Sequence, residues 1–83
     1  MWKAVKSKNL WKVDYDVKRK RLAVIFNSDK QSVYVYNEVL AHTYRGLIGA
    51  ESVGEYFAVQ IRQREYEVWS VREWEKERRK ELS

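Results

Sequence analysis

Three short segments early in the chain alternate apolar and polar residues with the two-residue period of a strand that buries one face. In the first, Trp11, Val13, Tyr15 and Val17 oppose Lys12, Asp14 and Asp16. In the second, Leu22, Val24 and Phe26 oppose Arg21, Ala23 and Ile25; in the third, Val33 and Val35 oppose Tyr34 and Tyr36. Asn27-Ser28-Asp29-Lys30 separates the last two as a turn, because Asn and Asp tolerate left-handed backbone and hydrogen-bond their own main chain. Lys18-Arg19-Lys20-Arg21 has to form the other turn without Gly or Asn. Links this short make the neighbours antiparallel. The pattern predicts a three-stranded meander.

The period then lengthens. Between Leu40 and Ala50, Tyr44, Leu47 and Ile48 fall at helical spacing, and Gly49 helps to end that helix. Ser52-Val53-Gly54-Glu55 has the form of a capping box, in which Ser and Glu satisfy each other's orphan amides. Val53, Tyr56, Phe57, Gln60 and Ile61 then mark the inward face of a second helix. A second such box, Ser70-Val71-Arg72-Glu73, opens a third helix from about Val71 to Leu82. Its apolar residues are Val71, Trp74 and Leu82, so it is expected on the surface, docked by Trp74. The expected fold class is α+β: a three-stranded antiparallel meander followed by two helices packed on one face, plus a charged C-terminal helix.

Eighty-three residues make one domain, near the lower size limit for folding without staples. Four Trp, six Tyr and two Phe give such a domain enough bulk for a dense core. The chain has no Cys, which excludes disulfides, thiol catalysis and zinc-thiolate sites. Met1 to Lys8 lacks the apolar run of a signal peptide and no stretch approaches a membrane span, so a cytoplasmic location is expected. The net charge of +5 is unevenly placed. Residues 1–36 hold nine Lys and Arg against three Asp, residues 37–66 three against four Glu, and residues 67–83 five against five. A polarised basic half points to an anionic partner.

Taken in order, the blocks resemble the KTSC domain: Ser7 with Leu10, Val13-Asp14-Tyr15-Asp16, Leu22-Ala23-Val24-Ile25-Phe26 and Tyr34-Val35-Tyr36. Tyr44-Arg45-Gly46-Leu47, Ala50, Ser52-Val53-Gly54, Tyr56-Phe57 and Ile61-Arg62 with Tyr66 continue the likeness. Leu40 stands where that family usually has Pro, and Thr43 where an apolar residue is commoner. The family takes its name from copies at the C-terminus of some lysyl-tRNA synthetases and also occurs alone in bacteria and phages. The resemblance implies a KTSC-like α+β domain over residues 1–66, with residues 67–83 as a charged helical extension of the same unit. Its company with a synthetase implies RNA as a partner.

Chemistry-bearing residues are few. Lys18, Arg19, Lys20 and Arg21 crowd a hairpin tip, where phosphates would relieve their mutual repulsion; Lys3, Lys6, Lys8 and Lys12 extend the same basic patch. The alternative is a solvated loop that guards a sheet edge. Tyr34 and Tyr36 point to one side of their strand and either stack nucleobases or pack beneath the helices, with a core role expected for at least one. Gly46-Leu47-Ile48-Gly49 has the spacing of a phosphate-clamping KH loop, but its apolar middle fits helix packing better. His42 is the only histidine, so no metal site is expected, and Asp14 with Asp16, like Glu51 with Glu55, reads as a solvated acidic face, with Asp16 able to pair with the adjacent cations. No cofactor motif is present.

The reading that follows is a small non-catalytic module that contacts RNA or DNA through its basic β-half, at Lys12, Lys18, Arg19, Lys20, Arg21, Tyr34 and Tyr36. The alternative is a protein-interaction module, phage-encoded in one version, that binds an acidic partner surface. A metal-independent ribonuclease using Tyr34, Tyr36, Arg45 or Arg62 stands third.

Overall fold

The computed structural model describes residues 1–82. Along the chain run β1 (Lys3–Ala4), β2 (Leu10–Asp16), β3 (Arg21–Phe26), β4 (Asp29–Tyr36), α1 (Ala41–Ile48), α2 (Val53–Gln60), β5 (Tyr66–Ser70) and α3 (Val71–Leu82). The α+β class and the β2–β3–β4 meander are as the pattern predicts, but the sheet has five strands in the order β1-β2-β3-β4-β5, all antiparallel. The three-strand expectation misses both edges for a simple reason. β1 has only two residues, and β5 alternates Tyr66 and Val68 against Glu67 and Trp69 over too short a run to stand out between two helices.

Local chemistry sets the connections. Asn27 and Ser28 form the two-residue turn that brings Phe26 opposite Asp29. At the other tip Lys20 takes φ 55°, the left-handed conformation for which the sequence offers no glycine. Ser52 caps α2 by accepting the Glu55 amide at 3.3 Å. The box at α3 closes in both directions, Ser70 N–H to Glu73 Oε1 at 2.9 Å and Glu73 N–H to Ser70 Oγ at 3.1 Å.

Both faces of the sheet are covered. On one, Leu10, Val13, Tyr15, Leu22, Val24 and Tyr36 meet Leu47 of α1 with Val53, Phe57 and Ile61 in and after α2. On the other, Ala23, Ile25, Val33 and Val35 are buried by Trp74 of α3, with Trp2, Trp11, Trp69 and Val71 around the margin. α3 is therefore a roof over an apolar sheet face and not a surface helix held by one contact. Trp74 is 0% exposed, and its indole N–H donates to Asp14 Oδ2 at 2.8 Å.

Gly46 and Gly49 lie inside and at the end of α1, with Leu47 buried between them. A Cβ on Gly46 would collide with the Tyr56 hydroxyl, so this glycine makes room for the Tyr56 ring of α2 against α1. Helix packing accounts for the spacing.

Candidate nucleic-acid interface

The four-residue basic tip divides into two kinds of cation. Arg21 Nη2 pairs with Asp16 Oδ2 and with Glu81 Oε1, each at 2.8 Å. Arg19 Nη1 pairs with Glu77 and, at 3.2 Å, with Glu81. Arg78 of α3 completes the network with Asp14 at 3.1 Å and with the carbonyl of Tyr15 at 3.2 Å. Asp14 and Asp16 are thus buried beneath α3, Asp16 at 1% exposure, and the expectation of a solvated acidic face is overturned. Burial opposes the Asp16 charge, but hydrogen bonds from Arg21 and the Arg19 amide outweigh it and hold the carboxyl below its ordinary value. Arg19 and Arg21 are mainly a latch for α3. Lys18 and Lys20 remain exposed at the tip.

The two tyrosines do not form an open platform. Tyr36 is 3% exposed and meets the Phe57 ring edge-on at 5.4 Å. Burial, then the Tyr66 and Tyr34 hydroxyls, push its phenol up to about 12 against an opposing pull from Arg62. It has no ring face for a base, so its stacking role is withdrawn. Tyr34 is half-buried between Phe26, at 5.1 Å, and Tyr66, at 5.4 Å. Lys12 lies on the α3 side of β2 with its ammonium 4.3 Å from the Trp11 ring centre, and Lys30 reaches the same ring at 4.6 Å.

The basic patch is also divided in space. Lys8 precedes β2 and Lys18 follows it, so the seven residues of that strand put them about 20 Å apart. At the Lys8 end, between the loop before β2 and α2, is a concavity of about 320 Å³. Phe26 and Phe57, edge-to-face at 5.6 Å, form part of its wall, with Lys8, Asn9, Ser28 and Arg62 around it. The loop that carries Lys8 is fixed by its neighbours. Asn27 Nδ2 donates to the carbonyls of Ser7 at 3.2 Å and Lys8 at 3.0 Å, and Ser7 Oγ accepts the Asn9 and Leu10 amides at 3.1 and 3.2 Å. Gly54 lets α2 come close to this loop, since a Cβ there would lie 3.3 Å from Ser7 Oγ. Beyond α2, the Arg62 amide bonds the Phe57 carbonyl at 2.9 Å, and Arg62 lines the groove.

No carboxylate lines this concavity among the described residues. Two cations, a side-chain amide and a hydroxyl can hold an anionic group beside the half-buried Phe26 ring, while Phe57, 2% exposed, only backs it. The sequence pattern assigns Lys8 to the distant tip, and reads Phe26 and Phe57 as core. Only their three-dimensional placement groups them.

Residues 6–66 match the family model of the KTSC domain. The chain belongs to the KTSC domain family. Among solved structures, a KTSC domain protein from Yersinia pestis is similar over 86% of this chain and 96% of its own, with a TM-score of 0.71 and 21% identity, a likeness that shows the shared fold. No curated protein matches the chain. The stretch matched to the KTSC domain holds both walls of the groove, from Lys8 to Arg62, whereas α3 lies beyond it. Among the described residues of this KTSC domain, no helix is long and apolar enough to cross a membrane. No group of three or more His, Cys, Asp or Glu side chains among them is placed to hold a metal ion.

Proposed function

We propose that this KTSC domain is a non-catalytic binding module for RNA or other single-stranded nucleic acid, with the Lys8–Arg62 groove as its main contact. The observation that carries the reading is the groove itself, where Lys8 and Arg62 line the same concavity as the half-buried Phe26 and no acid intrudes among the described residues. A phosphate is attracted by the cations, while an unstacked base finds the Phe26 ring beside them. Its volume of about 320 Å³ is at the small end for ligand sites, roughly 300–1,000 Å³, and favours a single base over a duplex. Arg19 and Arg21 contribute little, because their charges are met by carboxylates within the fold. Lys18, Lys20 and Lys12 supply weaker, more distant phosphate contacts. The buried Tyr36, its phenol pushed up to about 12, is poorly suited to proton transfer near neutral pH and so is a weak candidate for the ribonuclease alternative.

The test is fluorescence anisotropy of short labelled single strands, RNA and DNA, over a range of salt. Lys8→Ala/Arg62→Ala should weaken binding and make the log K against log salt slope shallower by about 1.4, two contacts at roughly 0.7 each. Lys18→Ala/Lys20→Ala should change it less. A parent protein that binds neither strand at low salt, or a groove variant that binds as the parent does, would overturn the proposal.

A further inference from the structure

β5 closes one side of the sheet, and its outer edge is unpaired among the described residues. It carries the most exposed apolar pair in the sheet, Tyr66 at 52% and Val68 at 56%, because α1 and α2 stop short of it. Exposed strand edges with apolar side chains are templates for another strand. Antiparallel pairing with a second copy, with the twofold axis at Val68, puts Tyr66 opposite Ser70 and Glu67 opposite Trp69 of the other chain. Trp69 Nε1 already donates to Glu67 Oε1 within one chain at 2.9 Å, and the paired arrangement offers the same donor and acceptor across the joint. Side chains must stay on their own faces, so the axis moves only in whole-residue steps. One step to Glu67 sets two carboxylates against each other; one step to Trp69 carries Tyr66 past the end of the partner strand.

α3 carries charges that complement one another under the same twofold operation. Glu73, Lys76, Glu77 and Lys80 lie on its β5 side, where with Val68 and Trp69 they border a shallow groove along the edge. Reversed about the midpoint between Lys76 and Glu77, this series sets Glu73 against Lys80 and Lys76 against Glu77. Glu73 also caps Ser70 and Glu77 also meets Arg19, but a carboxylate has acceptor sites for more than one partner. Measured from the junction of β5 and α3, the two centres lie at similar distances. Val68 is about 7 Å back from Ser70 at ~3.3 Å per residue. The Lys76–Glu77 midpoint is about 8 Å along α3 from Val71 at 1.5 Å per residue. Since α3 doubles back over the sheet towards Arg21, one axis serves strand and helix together.

We propose that β5 is a self-association edge, on which two copies of this chain pair antiparallel into a twofold dimer with a continuous sheet and adjacent α3 helices. The joint would cover Tyr66 and Val68 of both chains and be isologous, as closed dimers require. It lies across β4 from the Lys8–Arg62 groove and is independent of what that groove binds.

Sedimentation equilibrium of the full chain from micromolar to millimolar concentration tests this directly. The expected result is a monomer–dimer equilibrium. Val68→Lys, which sets two cations on the axis, should raise the dissociation constant at least tenfold. Lys76→Glu should also weaken the dimer, and Lys76→Glu/Glu77→Lys should restore it. Hydrogen exchange of the unaltered chain gives a second reading free of folding artefacts: the outward β5 amides should gain protection as concentration rises. A chain that stays monomeric at millimolar concentration overturns the proposal. So does a dimer indifferent to Val68→Lys with unchanged β5 exchange, or an added extended peptide that pairs with β5 while the chain remains a monomer.

Discussion

Replacing Trp74 with Ala asks whether α3 is structural. The indole is fully buried against Ala23, Ile25, Val33 and Val35, and its N–H reaches Asp14 at 2.8 Å. Large-to-small changes at buried Trp or Phe cost about 3–5 kcal/mol. Asp14 keeps two partners after the change, the terminal amine at 3.0 Å and Arg78 at 3.1 Å, so an unmet carboxylate adds little. A chain of this length has roughly 4–12 kcal/mol of stability, at about 0.05–0.15 kcal/mol per residue. A loss of about 4 kcal/mol therefore takes much of it and exposes the valine face. Urea unfolding followed by far-ultraviolet circular dichroism would show a lower midpoint, and a smaller m-value if α3 has already left the sheet. Trp74→Phe keeps most of the packing and loses the donor, which should cost only about 1–2 kcal/mol. If Trp74→Ala shifts stability by less than about 1 kcal/mol with m unchanged, the helix is a surface appendage after all.

Other outcomes follow from the same contacts. Asp16 has its carboxyl held below the ordinary 3.8 in the folded state, so its contribution is full above that value and lost as pH falls through the lower folded value. Asp16→Asn should cost about 1.5–3 kcal/mol near neutral pH by removing one of the two carboxylates on Arg21, and its urea midpoint should depend less on pH in acid than the parent's. Tyr36→Ala should destabilise by about 3–5 kcal/mol, as for other buried aromatics, whereas Tyr34→Ala should cost clearly less; equal midpoints would contradict the burial of Tyr36. Gly46→Ala should lose about 1–3 kcal/mol through overpacking on Tyr56, and adding Tyr56→Ala should make the two changes non-additive in a double-mutant cycle.

Some features depend only on near neighbours in the chain, and those were legible. The β2–β4 alternation, the Asn27-Ser28 turn, the Ser52 cap and the Ser70–Glu73 capping box are set by residues two to four positions apart, where strand pleat, helix pitch and side-chain-to-amide bonds act directly. The family was legible because its blocks keep their order along the chain. The edges of the sheet were not, since a two-residue β1 and a five-residue β5 carry too little pattern to outweigh the helices beside them. Nor was the value of Val33 and Val35. On a sheet covered on one side they look misplaced beside Tyr34 and Tyr36, and their burial makes sense only once α3 roofs the second face. The charge map changed for the same reason. Alternation places Asp14, Asp16 and Arg21 on the face opposite the first core, and whether that face meets water or a helix is decided sixty residues later by Trp74, Arg78 and Glu81. The Lys8–Arg62 groove likewise joins residues from a loop, two strands and a helix end. Sequence periodicity tells which side of an element a residue is on; what covers that side is a long-range contact, and only the tertiary structure supplies it.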